Sequence, residues 1–472
     1  MYKKLSVLPV SCFLLSLTLY AQNKIANFDT YMQSQADLYG FNGNVLVAQD
    51  GKVLYKKSFG YADYNAKSKL DSNSVFDCGS IAKEFTAMGI LLLKDKGMIS
   101  YSDSLRKFFP ELPYYNVTIQ QLLTHTSGMP DGFDLVSKHF DHNKIAHNDD
   151  LIRLLAREKP PLLFTPGKDL LYSGTGFNLL ASIIEKVSGQ SYNEYMSKHI
   201  FNPLGMTHTM VANGPRSTVS IPGYADGFVY VDSLKTYINA DSMHTGWTSY
   251  LAGITGEGMI VTTSGDLLKW DSALKNHSLI SEATQSAMLS RQAEKFTFPF
   301  VQFGYGMRVG QNEYGNYFFH NGYFPGYISM HMHYTDYDIT AIVLSNNESH
   351  SEFLADALVA IALNKNIVMP AIHKASAASP ALYKYAGKYS MPLTLPPYMV
   401  NFPVEIIIKN DNLYVHPPRG ADMELIPESN TKFYFSDGTD QQIEFETDTE
   451  GNHIRTWYTG WGIKKEIKQT GR

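Results

Sequence analysis

Four residues constrain this chain more than any others: Ser80-Ile81-Ala82-Lys83, where the extended apolar stretch Val75-Phe76-Asp77-Cys78-Gly79 runs into a helical pattern. Ile81, Phe85, Met88, Leu91 and Leu92 recur near helical spacing, which predicts a helix through them. Residues three apart share a helix face, so the Ser80 hydroxyl and the Lys83 amine can meet. A serine in the first turn also offers a backbone N–H that no helical carbonyl uses. A hydroxyl becomes a nucleophile when a neighbouring base takes its proton, and a buried lysine can be that base. The same pattern fits an N-cap serine followed by a solvated lysine, so it needs partners elsewhere in the chain.

At 472 residues the chain is too long for one ordinary core, and two domains, or one large and one small, are expected. Hydrophobic residues at 44% and charged residues at 18% provide for an ample core. The net charge of −5 comes with no basic stripe, which argues against a nucleic-acid partner. The first residues read as a secretory signal: Lys3 and Lys4, an apolar run over 5–19, and Leu19-Tyr20-Ala21 ahead of Gln22 as a cleavage site. That run is short for a membrane span and is interrupted by Ser11, Ser16 and Thr18. Removal of residues 1–21 would deliver an exported, periplasmic or secreted chain with a net charge of −7. Only Cys78 would remain, and one cysteine makes no internal disulfide. No cysteine–histidine spacing resembles a zinc site, so neither metal nor cofactor is expected.

Residues 23–39 predict an amphipathic helix, and 43–48 with 52–55 predict a hairpin about Asp50-Gly51. Two strands followed by the Ser80 helix resemble the opening of the serine β-lactamase and penicillin-binding-protein superfamily. Within it the chain is most similar to the class C lactamase-related esterases, carboxypeptidases and D-aminopeptidases. Leu122-Leu123-Thr124-His125-Thr126-Ser127-Gly128-Met129 resembles the family's L-L-x-H-T-S-G-[LM] segment. His125 is expected to cap and pack there, supporting the cleft.

Pro166-Gly167 and then Leu171-Tyr172-Ser173-Gly174-Thr175-Gly176-Phe177 resemble the family's P-G-x-x-x-x-Y-S-N-x-G-Y run. The resemblance makes Tyr172 the catalytic tyrosine, a proton shuttle beside Lys83. Gly174 departs from the pattern, since many members carry an asparagine there whose amide helps hold the lysine and the substrate amide. Asn178 or a water could fill the gap, and the departure weakens the case for efficient β-lactam hydrolysis. Residues 177–206 read as helix running into Ile200-Phe201-Asn202-Pro203-Leu204-Gly205-Met206, which is similar to the family's I-F-x-P-L-G-M. The tyrosine-rich stretch 226–251 is expected to wall the cleft and set substrate choice. Residues 253–263 resemble the glycine-rich turn before a helix at 264–274.

His320-Asn321-Gly322 resembles the family's H-x-G on a strand facing the nucleophile. Gly322 lets the backbone approach a substrate closely. The resemblance implies that His320 hydrogen-bonds a substrate carboxylate or Tyr172, and that Asn321 and Gly322 lie against substrate. It also makes the N–H of Tyr323 the second oxyanion donor beside that of Ser80; such donors can each be worth roughly 3–4 kcal/mol of barrier. His331 and His333 share a face of the next strand but lack a third ligand, and are expected to be structural. A buried strand at 339–345 and a helix at 352–363 close the domain.

Residues 369–382 read as a linker. Beyond it, 385–389, 404–408, 412–416, 432–435, 442–446 and 454–458 alternate as short strands, which predicts a small antiparallel sandwich or lipocalin-like barrel over 383–472. Self-association through that module is a further expectation. The resemblance over about 30–365 implies an α/β fold, an antiparallel sheet flanked by helices with a helical subdomain near 102–214. It implies a Ser80 acyl-enzyme acting on a small-molecule or peptidoglycan-derived ester or amide, as an esterase or D-amino-acid peptidase ahead of a β-lactamase. The alternative is a penicillin-binding or cell-wall sensor protein that acylates without turnover.

Overall fold

The computed structural model describes residues 10–471 apart from 232, 296–297, 313, 377–381, 396–397, 418–420, 437–438, 450–452 and 461–462. The first nine residues of the expected leader and residues 377–381 of the expected linker therefore lie outside the described residues. Helix α1 (Val10–Tyr39) carries the rest of the apolar run into the expected amphipathic helix. No helix among the described residues is long and apolar enough to cross a membrane.

The described residues divide into two compact units, one within 42–355 and one within 10–41, 356–395 and 399–471. In the first unit β1 (Gly43–Gln49) and β2 (Lys52–Phe59) form the expected hairpin. Asp50 and Gly51 both take positive φ, 51° and 71°, as a two-residue turn matched to strand twist requires. Helix α2 (Ala82–Asp95) follows the nucleophile turn, and every residue from Ala82 to Leu93 is buried, polar ones included. A helix apolar nearly all round belongs inside a protein, and this one does.

The helical region then supplies α3 (Gly174–Ser188), opened by the Ser173 hydroxyl and closed by Gly189 at φ 69°. The expected helix over 177–206 is broken at Gly189; a fresh helix starts at Tyr192–Met196 under a capping box of Ser191 and Glu194. The 226–251 stretch folds as a two-stranded ribbon, Phe228–Val231 against Thr236–Asn239, followed by two short 3-10 turns. Helix α4 (Ser264–Lys275) precedes the remaining strands of the main sheet: β3 (Ala293–Lys295), β4 (Phe298–Phe303), β5 (Arg308–Asn312), β6 (Gly315–Phe324), β7 (Tyr327–Tyr334) and β8 (Ile339–Ser345).

The eight strands run in the order β3-β4-β5-β6-β7-β8-β1-β2, with antiparallel neighbours. Every residue of β8 is buried, as is all of β1 but its last, so these central strands read as continuous apolar runs. The register sets His320 opposite His331, and Tyr323 opposite Ile328.

The C-terminal module is a closed eight-stranded barrel from Gly387–Leu395 to Ile463–Gly471. Of the two architectures expected, the barrel is the one present. Tyr385, Tyr389, Phe433 and Phe445 are buried in its core, with Tyr385 and Phe445 stacked at 4.0 Å.

Candidate active site

Ser80 lies in a 3-10 turn, Gly79–Ile81, immediately ahead of α2. Gly79 holds φ at 51°, and a side chain there would meet the Tyr323 backbone nitrogen at 2.6 Å. A side chain on Gly322 would meet the Cys78 carbonyl at 1.9 Å, while the Ser329 hydroxyl donates to that carbonyl at 2.8 Å. Two glycines therefore let β6 and the nucleophile turn touch through their main chains, bringing the N–H of Tyr323 alongside residues 78–79. The Tyr323 side chain points away to solvent, where its hydroxyl donates to Glu348.

The strand leading into the turn is fixed by a buried ion pair. Asp77 accepts from Arg216 Nε at 2.8 Å and Nη2 at 2.5 Å, and from the Tyr224 hydroxyl at 2.6 Å. A guanidinium fork on a carboxylate, itself hydrogen-bonded, makes a rigid approach to Ser80.

Lys83, fully buried, donates to Ser80 Oγ at 2.9 Å and to the backbone carbonyl of Glu257 at 2.9 Å. Its third neighbour is the carboxylate Oε2 of the same Glu257, at 3.5 Å. The Lys83 nitrogen therefore faces three oxygens. Nζ also lies 4.9 Å from the ring centre of Tyr172.

Tyr172 is half-exposed and held from behind by His125, whose ring stacks on it at 4.4 Å. His125 Nδ1 accepts from the Ser173 N–H at 3.0 Å, so the residue following the tyrosine is pinned as well. His125 both caps and packs, as expected: at φ 58° it closes the helix Ile119–Leu123, its N–H donating to Leu122 O at 3.4 Å and that of Thr126 to Gln121 O at 2.9 Å, and it packs against the tyrosine loop. His320 is buried with its ring 6.1 Å from that of Tyr172, and its Nδ1 is 2.6 Å from its neighbour's carbonyl, Asn321 O. The Arg308 guanidinium lies 5.7 Å from the ring centre of Tyr172. Burial, with Lys83 and Arg308 close by, holds both imidazoles well below the ordinary histidine range, so both are neutral.

Sequence reasoning did not find Glu257, and it answers the question raised by Gly174. A side chain added at Gly174 would meet Glu257 Oε2 at 1.6 Å and Cδ at 2.5 Å. The carboxylate fills the space beside Lys83 that residue 174 leaves open. Asn178, the other candidate, is occupied elsewhere: its amide donates to Thr255 O at 2.9 Å. Together with Asn148, which exchanges hydrogen bonds with Thr255, and Thr86, which donates to Gly256 O, it fixes the loop carrying Glu257. Gly256 is required there, since a side chain would meet Phe177 O at 2.4 Å. Burial pushes the Glu257 carboxyl up, and Lys83 pulls it back. Its Oε1 is buried without a hydrogen-bond partner among the described residues. One signal in the sequence pointed to it: Glu257 is the only acid between Asp241 and Asp266, and it is flanked by glycines.

His331 and His333 belong to a buried network under the site. His331 bridges Glu84 Oε2 at 3.0 Å and Asp271 Oδ1 at 3.2 Å, and His333 Nδ1 reaches Asp271 at 3.0 Å. Among the described residues no cluster has the make-up of a metal site.

The structure thus gathers Ser80, Lys83, Tyr172 and His320 with the backbone of Gly322 and Tyr323, and adds Glu257, Arg308 and His125. Comparison with known proteins agrees with this geometry. The beta-lactamase family model matches residues 28–364. Penicillin-binding protein 4* of Bacillus subtilis is 36% identical over 426 residues, 88% of this chain and 92% of that protein. The octameric penicillin-binding protein homologue from Pyrococcus abyssi superposes with a TM-score of 0.64 at 23% identity, over 93% of this chain and 98% of that one. The D-amino acid amidase from Ochrobactrum anthropi SV3 gives 0.60 at 22% identity, over 73% and 98%. At these identities the two structures speak for the fold.

Proposed function

We propose, for a chain that belongs to the beta-lactamase family of serine hydrolases, that it cleaves esters or amides through an acyl-enzyme on Ser80. The observation that carries this reading is the 2.9 Å contact between Lys83 Nζ and Ser80 Oγ in a site where the lysine is sealed from water. In the proposed reaction Lys83 reacts as the neutral amine, whose lone pair accepts the Ser80 proton as Oγ attacks the carbonyl carbon. The oxyanion is held by the N–H groups of Ser80 and Tyr323. Tyr172, beside Lys83, passes a proton to the leaving group, and water then attacks the acyl-enzyme by the reverse route. His320 and Asn321 border the acyl group from β6.

Ester or D-amino-acid peptide hydrolysis of the class C-related type ranks ahead of β-lactam hydrolysis. The support is the Gly174–Glu257 pair: where an asparagine would offer a substrate both a donor and an acceptor, this chain places a carboxyl group that faces Lys83. A second reading, acylation by penicillin without release, is favoured by the name of the Bacillus subtilis relative, a penicillin-binding protein. Export is proposed on the leader pattern of residues 1–21, and self-association through the barrel is proposed with it; sedimentation velocity of the full chain decides the latter. The test of the main reading is turnover of p-nitrophenyl esters and D-alanyl amides by the native chain and by Ser80→Ala. Loss of turnover in a folded variant is expected, and unchanged turnover overturns the assignment.

A further inference from the structure

We infer that Glu257 is the positioning residue for Lys83, and that positions 174 and 257 form one mutually exclusive unit: a side chain at either place, never both. The inference rests on the Ser80 acyl-enzyme reading and says what makes it work in this chain.

Two of the three oxygens around Lys83 Nζ belong to Glu257, its carbonyl at 2.9 Å and its carboxylate at 3.5 Å. The third is the nucleophile itself. With nothing else donating to or accepting from the amine among the described residues, Glu257 alone fixes where Lys83 points when Ser80 reacts. The carbonyl is set by the loop that Asn148, Asn178 and Thr86 hold. The carboxylate is set by the floor beneath it, the bare Cα of Gly174, where a methyl group would lie 1.6 Å from Oε2. Position 174 opens α3 two residues after Tyr172, so any side chain there would either expel the carboxylate or push the tyrosine loop aside. The glycine is therefore the condition for the glutamate. A buried carboxylate with one oxygen unpaired is costly to keep, and a fold retains such a group where it holds something in place.

The test is the acylation rate per active site, read from the burst of p-nitrophenol released by a p-nitrophenyl ester, in the full-length protein. Counting active sites separates a damaged site from a smaller folded fraction, because a purely structural defect lowers the burst amplitude and leaves the rate per site alone. Glu257→Ala is expected to lower that rate by on the order of 100-fold with little change in KM, the size of loss that a misplaced catalytic group brings. Glu257→Gln keeps the bulk and an acceptor oxygen, and is expected to stay within about tenfold of the native rate. Gly174→Asn, in which the new side chain and Glu257 collide, is expected to fall at least as far as Glu257→Ala. Combining Gly174→Asn with Glu257→Ala frees the space and offers an amide oxygen to Lys83, so the double variant is expected to acylate faster than either single one. If a single variant does not fold, the Gln and double variants carry the comparison. A native rate per site in Glu257→Ala, or a double variant no faster than the singles, overturns the inference. Ser80→Ala in the same assay reports on the underlying reading: a surviving burst there condemns the acyl-enzyme itself, whereas its loss leaves the Glu257 variants to decide the inference alone.

Discussion

His125 shows how much of this site depends on residues that never meet a substrate. Its Nδ1 is the acceptor for the Ser173 N–H, and its ring is the platform for Tyr172. His125→Phe keeps the platform and orphans the buried N–H, which is expected to cost about 1–3 kcal/mol of stability by denaturant unfolding and to slow acylation. Both His125 and His320 are held neutral in the fold but take up protons near pH 6.5 when unfolded. The unfolded chain then binds more protons, so their contribution to stability is lost as pH falls below about 6.5. At this scale Ser80, Lys83, Tyr172 and His320 were legible because each carries a short local pattern. Glu257 was not, because its role is a contact with a glycine far away in sequence, and a missing side chain does not announce what fills its place.

Among the elements, α2 is the one that must not move, since it carries Lys83. The next residue, Glu84, anchors it: Trp270 Nε1 on α4 donates to its carboxylate at 2.6 Å, and His331 on β7 pairs with it. Burial opposes a charge on His331, yet Glu84 and Asp271 outweigh it and raise the imidazole to about 10. A raised histidine stabilises fully below its unfolded value of 6.5 and loses that contribution as pH climbs through about 10. The native chain is therefore expected to lose stability between pH 7 and 10 in denaturant titrations, with His331→Gln flattening that slope. Glu84→Gln, which breaks a buried pair, is expected to cost about 3–5 kcal/mol. The alternating histidines of β7 were visible in the sequence, as were the hairpin, α4 and β8. Their partners were not, because Glu84 and Asp271 lie on helices whose packing on the sheet no local pattern encodes. The break at Gly189 was encoded by Ser191 and Glu194, but the apolar periodicity that runs across it reads as one helix.

For the molecule as a whole, the all-β character of the C-terminal strands could be read from the change of pattern after residue 366, although residues 22–41 and 356–368, read with the hydrolase domain, group with the barrel instead. The barrel's closure could not. Met423–Pro427 ends in a proline and reads as a turn, and Ile463–Gly471 is rich in lysine and reads as surface, yet each is hydrogen-bonded between neighbours in the barrel. A filled aromatic core holds the barrel, so Phe445→Ala is expected to destabilise it by about 3–5 kcal/mol in thermal or denaturant unfolding. The Ser80 acyl-enzyme of the other unit can be seen by intact mass spectrometry of the protein mixed with a penicillin and, separately, with a p-nitrophenyl ester, followed by peptide mapping. An added acyl mass is expected on the peptide bearing Ser80, short-lived with the ester and absent from Ser80→Ala. An adduct on another residue, or an equal adduct in Ser80→Ala, would contradict it.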